Sequence, residues 1–452
     1  MHYALRIKNF IADDFFAKAL SFFVFFSLPL GMKKFLFPIE GKFITSETDG
    51  AFLFLNDIWI IILLFLFSSF CINKKSCLSF LRKKALMVPL AIFVGFSFLS
   101  IFVSTHFGFS TYFFIRLVLG VIFGFLVYCL VKHSGFFSAA LGLFLSALVQ
   151  SFLGLLQFIS GKSVGLRYFG EVVVNETTQY IARTSVDGAL FLRAYGTMQH
   201  ANILAAFLII GFLAGAFLFY KKYNKERRDI LASALISSGL FIIALGIAAT
   251  FSRSGWIAAF ASGILFLGFV FFNHNGKKAG MRMCVLFAAI FVGVITSFGW
   301  AIIPRASLER DEPSVELRVD YLHIGSRIIT DHPFFGVGIG NQTDYAKEQG
   351  LYAKFGVSRP RDFQPIHNIF ILVFSEIGIF GVVSIGIFFA AFFARAFRNV
   401  ARDINVAWLF SSVSTLFIFG LFDHFPWTTQ SGIAMFWVLV FLLALSLEER
   451  VE

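Results

Sequence analysis

The chain has 452 residues, 58% of them hydrophobic and only 14% charged, with 66 phenylalanines and a formal net charge of +12. A soluble globular protein is nearer about half apolar and about a quarter charged. The excess cannot hide in an aqueous core. Much of the surface must face lipid, and the positive charge then reflects membrane topology rather than a nucleic-acid partner.

The expected fold class is an all-α polytopic membrane protein, because backbone groups in lipid must be satisfied within each segment. Crossing ~30 Å of hydrocarbon takes roughly 20 apolar residues. In chain order that ruler predicts twelve spans, at about 15–37, 51–72, 86–104, 110–131, 136–160, 199–220, 230–251, 255–272, 283–303, 367–394, 406–422 and 427–447. The first reads as a retained span rather than a cleavable signal peptide.

Lysine and arginine in short loops set the sides. NKKSCLSFLRKKA (73–85), KKYNKERRD (221–229), GKKAGMR (276–282) and RAFRNVAR (395–402) all fall on one side if the twelve spans hold. That side is the expected cytoplasm, with both termini inside. Short loops opposite, such as THFGFS (105–110), carry almost no lysine or arginine. Cys71, Cys77, Cys129 and Cys284 lie near inner ends of spans and offer no exported disulfide framework.

Two segments on the outer side are long, 161–198 and 304–366, within a single integral membrane unit covering 1–452. Loops of that length normally have a job. The second is expected to hold a helix from Ser314 to about Thr330, behind Pro313, with Val315, Val319, Leu322 and Ile329 as its apolar stripe. DHP (331–333) stops it, and GVGIG (336–340) forms a glycine turn region.

Span parity gathers three chargeable residues at the outer face: Arg193 before the sixth span, Arg253 in the tight turn TFSRSGW, and His367 at the start of the tenth. Each alone has a bland reading: a loop charge, a snorkelling arginine, a helix-end histidine beside a capping Asn368. Small neighbours Ser252, Ser254 and Gly255 let a bulky anion approach Arg253. Gly378 and Gly381, about 16 Å deeper than His367 at 1.5 Å per residue, read as close-packing positions. Glu376 and Arg116 lie at span depth, where pairing between them is one way to lower the cost.

Arginine forks match phosphate oxygens and keep their charge. Fixed cations stabilise a leaving diphosphate more in the transition state than in the ground state. A neutral imidazole takes a proton from a hydroxyl or orients it. The set suits displacement of a lipid-linked diphosphate by a hydroxyl.

These residues resemble a known family. HN-(nine residues)-GIFG, from His367 to Gly381, is similar to the H[NSQ]-x9-GxxG pattern of bacterial O-antigen ligases. SRSGW (252–256) resembles the arginine motif of that ligase/polymerase superfamily, and ELRVDYLHIGSRIITDHPFFGVGIGN (316–341) its long-loop signature. The likeness is strongest from about Arg193 to Asp423; the first five spans match only in hydropathy. The resemblance implies a metal-independent, inverting glycosyltransferase of the twelve-span GT-C type in a bacterial inner membrane, with no cofactor. It implies an undecaprenyl-diphosphate-linked glycan as donor, a hydroxyl of lipid A–core oligosaccharide as acceptor, and a periplasmic active site for lipopolysaccharide biosynthesis. Carried over by position, Arg193 and Arg253 hold the diphosphate, His367 activates or positions the acceptor, and Arg318 supports the site.

Two motifs are shared with O-antigen polymerases and with protein O-oligosaccharyltransferases, so both stay as alternatives, and a transporter of lipid-linked sugars ranks lower because most charges sit at span ends rather than along a path. Glu47 and Asp49 in ITSETDG read as a solvated loop rather than a cation site. GVGIGN follows a helix rather than a strand and is no dinucleotide fingerprint. Arg327 and Gly338 fit a polymerase-like R-x10-G spacing that is weak among 37 glycines. LFDHFPW (421–427) is placed to bring Asp423 and His424 to the site, with Trp427 as an interface anchor.

Overall fold

A computed structural model describes residues 14–39, 50–71, 83–174, 181–186, 188–223, 230–273, 276–306, 313–400 and 403–448. The chain is mostly helical, with two small antiparallel hairpins. It begins with α1 (Asp14–Ser27), the hairpin β1 (Lys33–Pro38) and β2 (Gly50–Phe54), and α2 (Leu55–Cys71). Then come α3 (Lys84–Leu99), α4 (Phe107–Ser134), α5 (Phe136–Ser160), and the hairpin β3 (Arg183–Val186) and β4 (Ala189–Leu192). The central series is α6 (Ala201–Tyr223), α7 (Ile230–Ala249), α8 (Arg253–Phe272) and α9 (Lys277–Ala306). The second long loop contributes α10 (Pro313–Asp331), α11 (Gln342–Glu348) and α12 (Leu351–Lys354). The chain closes with α13 (Ile369–Val400), α14 (Ile404–Gly420), α15 (Phe425–Thr428) and α16 (Gln430–Ser446).

Among the described residues, eight helices are long and apolar enough to cross a membrane: α3 with its 3₁₀ extension to Val103, α4 to α9, and α13. They coincide with eight of the twelve expected spans. The second, eleventh and twelfth expectations fall on shorter apolar helices, Leu55–Phe67, Ile404–Gly420 and Gln430–Ser446. The first is corrected. Its helix stops at Ser27, because the residue before Pro29 is biased away from helix, and residues 33–38 form the exposed strand β1 instead. The start of the second is corrected too, since 50–54 is β2.

α6 sits at the centre, buried along almost its whole length against α5, α7, α8 and α14. Its uniformly apolar sequence suits that place, since it has no outward face to make polar. α6 leaves the functional end at Ala201 and reaches Lys221 and Lys222, while α9 enters at Lys277 and Lys278 and α13 runs on to Arg395 and Arg398. The described lysines and arginines of these loops therefore lie opposite Arg193, Arg253 and His367. At that opposite end Glu448 gathers Lys83 (2.6 Å) and Lys132 (2.9 Å).

The helix expected behind Pro313 is α10, which starts at Pro313 and ends at Asp331. Its buried stripe overlaps the expected one only at Leu322, which packs partly buried against the core. Tyr321, Ile324 and Ile328 face the core, with Leu317 partly buried, whereas Val319 is 47% exposed. Both sets repeat at helical spacing, and packing against α13 selects the first.

α13 is broken inside the bundle. Gly378 adopts φ 68°, ψ −174°, a conformation open essentially to glycine. The loop after α10 fills the break with backbone. Val337 N donates to Ser375 O and Gly338 N to Glu376 O, while Ile379 N donates to Pro333 O, each at 2.9 Å. A Cβ on Gly378 would lie 2.1 Å from the Phe334 carbonyl, and one on Gly336 (φ 65°) 2.4 Å from the Glu376 backbone. The two glycine motifs are therefore halves of one joint. Gly378 serves backbone geometry, not the expected side-chain-free helix packing. Helices broken near the membrane centre line substrate paths in many transporters, whereas here protein backbone plugs the gap.

Candidate active site

The site begins where the β3–β4 loop returns to the bundle. Ala194 N donates to Ala249 O (2.9 Å), which pins this strand of chain to the end of α7. Arg193 is thereby buried at 9% exposure. Its Nε donates to Thr250 O (2.6 Å) and its Nη2 to Asn202 Oδ1 (2.8 Å). Asn202 passes the contact on, its Nδ2 donating to Asp423 Oδ2 (2.6 Å). The other Asp423 oxygen accepts from the backbone N–H of His424 (2.7 Å) and of Phe425 (3.4 Å). Arg193 is thus held by neutral acceptors, and its nearest anion is one amide away. Burial, with Arg305 and Arg318 nearby, pushes its pKa down to about 10, still fully charged at neutral pH.

His367 lies in the extended segment leading into α13, which Asn368 caps as expected: its Oδ1 accepts from the backbone N–H of Phe370 and Ile371, both at 3.1 Å. His367 Nδ1 is 2.9 Å from Pro365 O. A carbonyl only accepts, so Nδ1 carries the proton and Nε2 keeps its lone pair. Tyr321 of α10 stacks on the ring (5.2 Å, 19°), and His424 meets it edge-on (4.8 Å, 81°). His424 Nδ1 bonds Thr428 Oγ1 (2.6 Å), and His200 Nδ1 accepts from Asn202 N (3.2 Å).

Burial depresses all three imidazoles. His200 is lowered to about 4 and His424 to about 3. His367 is lowered by burial and by Arg318, against the opposing pull of Asp423. The imidazoles are neutral at pH 7. Burial alone would raise Asp423, but the facing imidazoles and the Asn202 amide outweigh it and hold the carboxyl below its ordinary range. A neutral base and a carboxylate therefore stand side by side. Atoms of His367, Asp423 and His424 lie within 4.8 Å of one another, the one set among the described residues able to hold a metal ion. The Asp423 oxygens in that set are already engaged by donors. Glu47 and Asp49 lie outside the described residues.

Arg318, one turn before Tyr321 on α10, acts electrostatically on Arg193, His200 and His367. Arg253 opens α8, half-buried, after Phe251 at φ 48° and the cap Ser252, whose hydroxyl accepts from Gly255 N. It stands three residues from the carbonyl that Arg193 grips. The structure thus brings Arg193, Arg318 and His367 into one cluster, with Asp423 and His424, and attaches Arg253 through the Thr250 turn. Sequence reasoning missed His200, Asn202 and Tyr321. The polar run QHAN (199–202), at the mouth of a wholly buried helix, was the available signal for the first two.

The pairing considered for Arg116 and Glu376 does not occur. Arg116 bonds Asp57 (3.0 Å) and Gln430 (2.9 Å) over the Phe54 ring. Glu376 accepts instead from Trp427 Nε1 (2.7 Å), so Trp427 is tied into the bundle rather than serving only as an interface anchor. Arg327 pairs with Asp331 on the exposed face of α10, away from the cluster.

Residues 238–386 match the family model described as O-Antigen ligase. This match supports membership of the O-antigen ligase family. The matched segment runs from α7 into α13 and takes in Arg253, Arg318, His367 and the Gly378 joint, leaving Arg193, Asn202 and Asp423 outside it. No curated protein matches the chain. Family membership implies glycan transfer of the ligase or polymerase type by a membrane enzyme, with lipid-linked glycan and lipid acceptor substrates in general.

Proposed function

We propose that this O-antigen ligase family member joins a glycan from undecaprenyl diphosphate to a hydroxyl of lipid A–core oligosaccharide, without metal and with inversion. The observation that carries the reading is the neutral His367, with Nε2 unprotonated, beside the Asp423 carboxylate and in one cluster with buried Arg193.

His367 Nε2 takes the proton of the acceptor hydroxyl as its oxygen attacks the anomeric carbon. The bond to the diphosphate oxygen breaks on the opposite face, which inverts the centre. Negative charge builds on the leaving diphosphate, and Arg193, Arg253 and Arg318 stabilise it there. Asp423 stabilises the imidazolium as it forms. The Asp423 oxygens already accept from Asn202, His424 and Phe425, which supports catalysis by fixed protein cations in place of a metal.

In this reading the chain is one integral membrane unit of GT-C type with twelve membrane-inserted helices, and 161–198 and 304–366 face the periplasm of a bacterial inner membrane. The described lysines and arginines opposite the cluster support cytoplasmic termini. Deleting the gene tests the activity. Lipid A–core bare of polymer, with polymer retained on undecaprenyl diphosphate, is expected. Core carrying single repeat units would identify a polymerase instead.

A further inference from the structure

The loop that follows α5 carries a second basic surface at the Arg193 end of the bundle. α5 packs on α1, α6 and α7, and its far face is exposed and apolar at Val149, Phe152, Leu156 and Ile159, a helical spacing that marks the side turned to lipid. The stripe does not stop with the helix. Past the left-handed Gly161 it continues through Val164, Tyr168, Phe169 and Val173, all exposed. Tyr168 is 77% exposed, and the Arg167 guanidinium lies 5.0 Å from its ring centroid. Lys162 is exposed beside them.

This loop is held in shape from within. Glu171, the one acid in 161–174, is buried; its carboxylate accepts from the backbone N–H of Val164, Gly165 and Leu166 and from Gln157 Nε2. Gln157 Oε1 accepts in turn from Tyr195 N (3.0 Å) and Gly196 N (2.8 Å), just after Arg193. Gly170 (φ 100°) packs on Gly31, where an added Cβ would lie 2.4 Å from the Gly31 Cα. That contact brings the start of β1 alongside, with exposed Lys33 and Lys34. The fold turns the acid inward and leaves cations and aromatic rings outward, on a preformed loop tied to the strand of chain that carries Arg193.

We propose that loop 162–173, with Lys33 and Lys34 beside it, rests in the headgroup layer of the membrane and recruits anionic phospholipid there. Continuity with the lipid-facing stripe of α5 selects the bilayer as occupant. Tyrosine belongs at that level, because its ring is apolar and its hydroxyl is wet. Tyr168 and Phe169 enter the interface, while the long stems of Lys162 and Arg167 let their charges stay among the phosphates. With Glu171 consumed inside the loop, these cations favour a headgroup of net negative charge over a zwitterionic one. The proposal needs only that the bundle spans a membrane, so it stands apart from the transferase reading.

Tyr168→Trp adds an indole to the six native tryptophans, and the full chain is reconstituted in nanodiscs with the wild-type fluorescence subtracted. Lipid brominated near its glycerol end should quench the added emission by about half, and lipid brominated near the chain end by less than about a tenth. Phe169→Trp should behave alike. In mixed discs, brominated phosphatidylglycerol should quench about twofold more than the same share of brominated phosphatidylcholine, and Lys162→Gln with Arg167→Gln should abolish that difference. Absence of quenching from either bromine position in both tryptophan variants would overturn the membrane contact. Equal quenching by the two headgroups would overturn the recruitment of anionic lipid. An added indole shielded from bromine and from aqueous iodide alike would show that a second copy of the chain covers the loop, which also overturns the proposal.

Discussion

Two buried arginines, Arg116 and Arg193, are treated in opposite ways. Arg116 meets the Asp57 carboxylate directly, adds Gln430, and lies over Phe54. Its charge is spent inside the fold, joining α2, α4 and α16. Arg193 meets only a backbone carbonyl and an amide oxygen, and Asp423 is reached through Asn202. Its geometry is fixed, yet no carboxylate sits on the guanidinium. A buried cation held by neutral dipoles keeps its field for a ligand, whereas one held by a carboxylate serves as a clamp.

The comparison breaks most visibly on removal of each charge. Arg116→Met leaves Asp57 buried and uncompensated, at a cost of about 3–5 kcal/mol, so the yield of folded protein should fall sharply. Adding Asp57→Leu should recover much of it, as size-exclusion and thermal unfolding in detergent would register. Arg193→Met should leave most of the protein folded but lower the transfer rate by about 10²–10³. If Arg116→Met were inactive yet fully stable, the two residues would have been assigned the wrong way round.

A lesser effect is expected at the joint in α13. Gly378→Ala meets the Phe334 carbonyl and a disfavoured φ, and should cost about 2 kcal/mol or more while loosening the loop that Glu376 and Trp427 anchor. Hydrogen exchange across 333–340 should rise, and transfer should fall with it. The smallest effect lies in pH. Since burial lowers His367 below the ordinary ~6.5, the base is already unprotonated at neutral pH, and the rate should be flat from pH 7 upward. Activity is lost as pH falls through the depressed value. Stability follows the same sign: His200 and His424 are neutral in the fold but bind protons once unfolded, so thermal stability should decline below about pH 6.5 toward 4. A rate that climbs between pH 7 and 9 would contradict a neutral His367.

Hydropathy made the long helices legible, because lipid demands continuous apolar runs. It failed at 15–37, where average greasiness conceals the stop before Pro29 and a strand pairing with a segment further along. It also saw Gly378 only as a small residue, since the need for positive φ arises from a loop about forty residues earlier in the chain. At the site, the arginines and His367 stood out because charge at a membrane edge is conspicuous. Their partners did not. Asn202 is an ordinary amide until Asp423, 221 residues away, comes to face it. The apolar stripe of α10 was likewise ambiguous until α13 chose a side.

The central claim is that His367 and the arginine cluster form one reaction centre with divided tasks. The most direct measurement compares donor binding and glycan transfer for purified wild-type protein and His367→Ala. Donor affinity should stay within about threefold, while transfer drops on the order of a thousandfold. Transfer by His367→Ala at the wild-type rate would contradict the account.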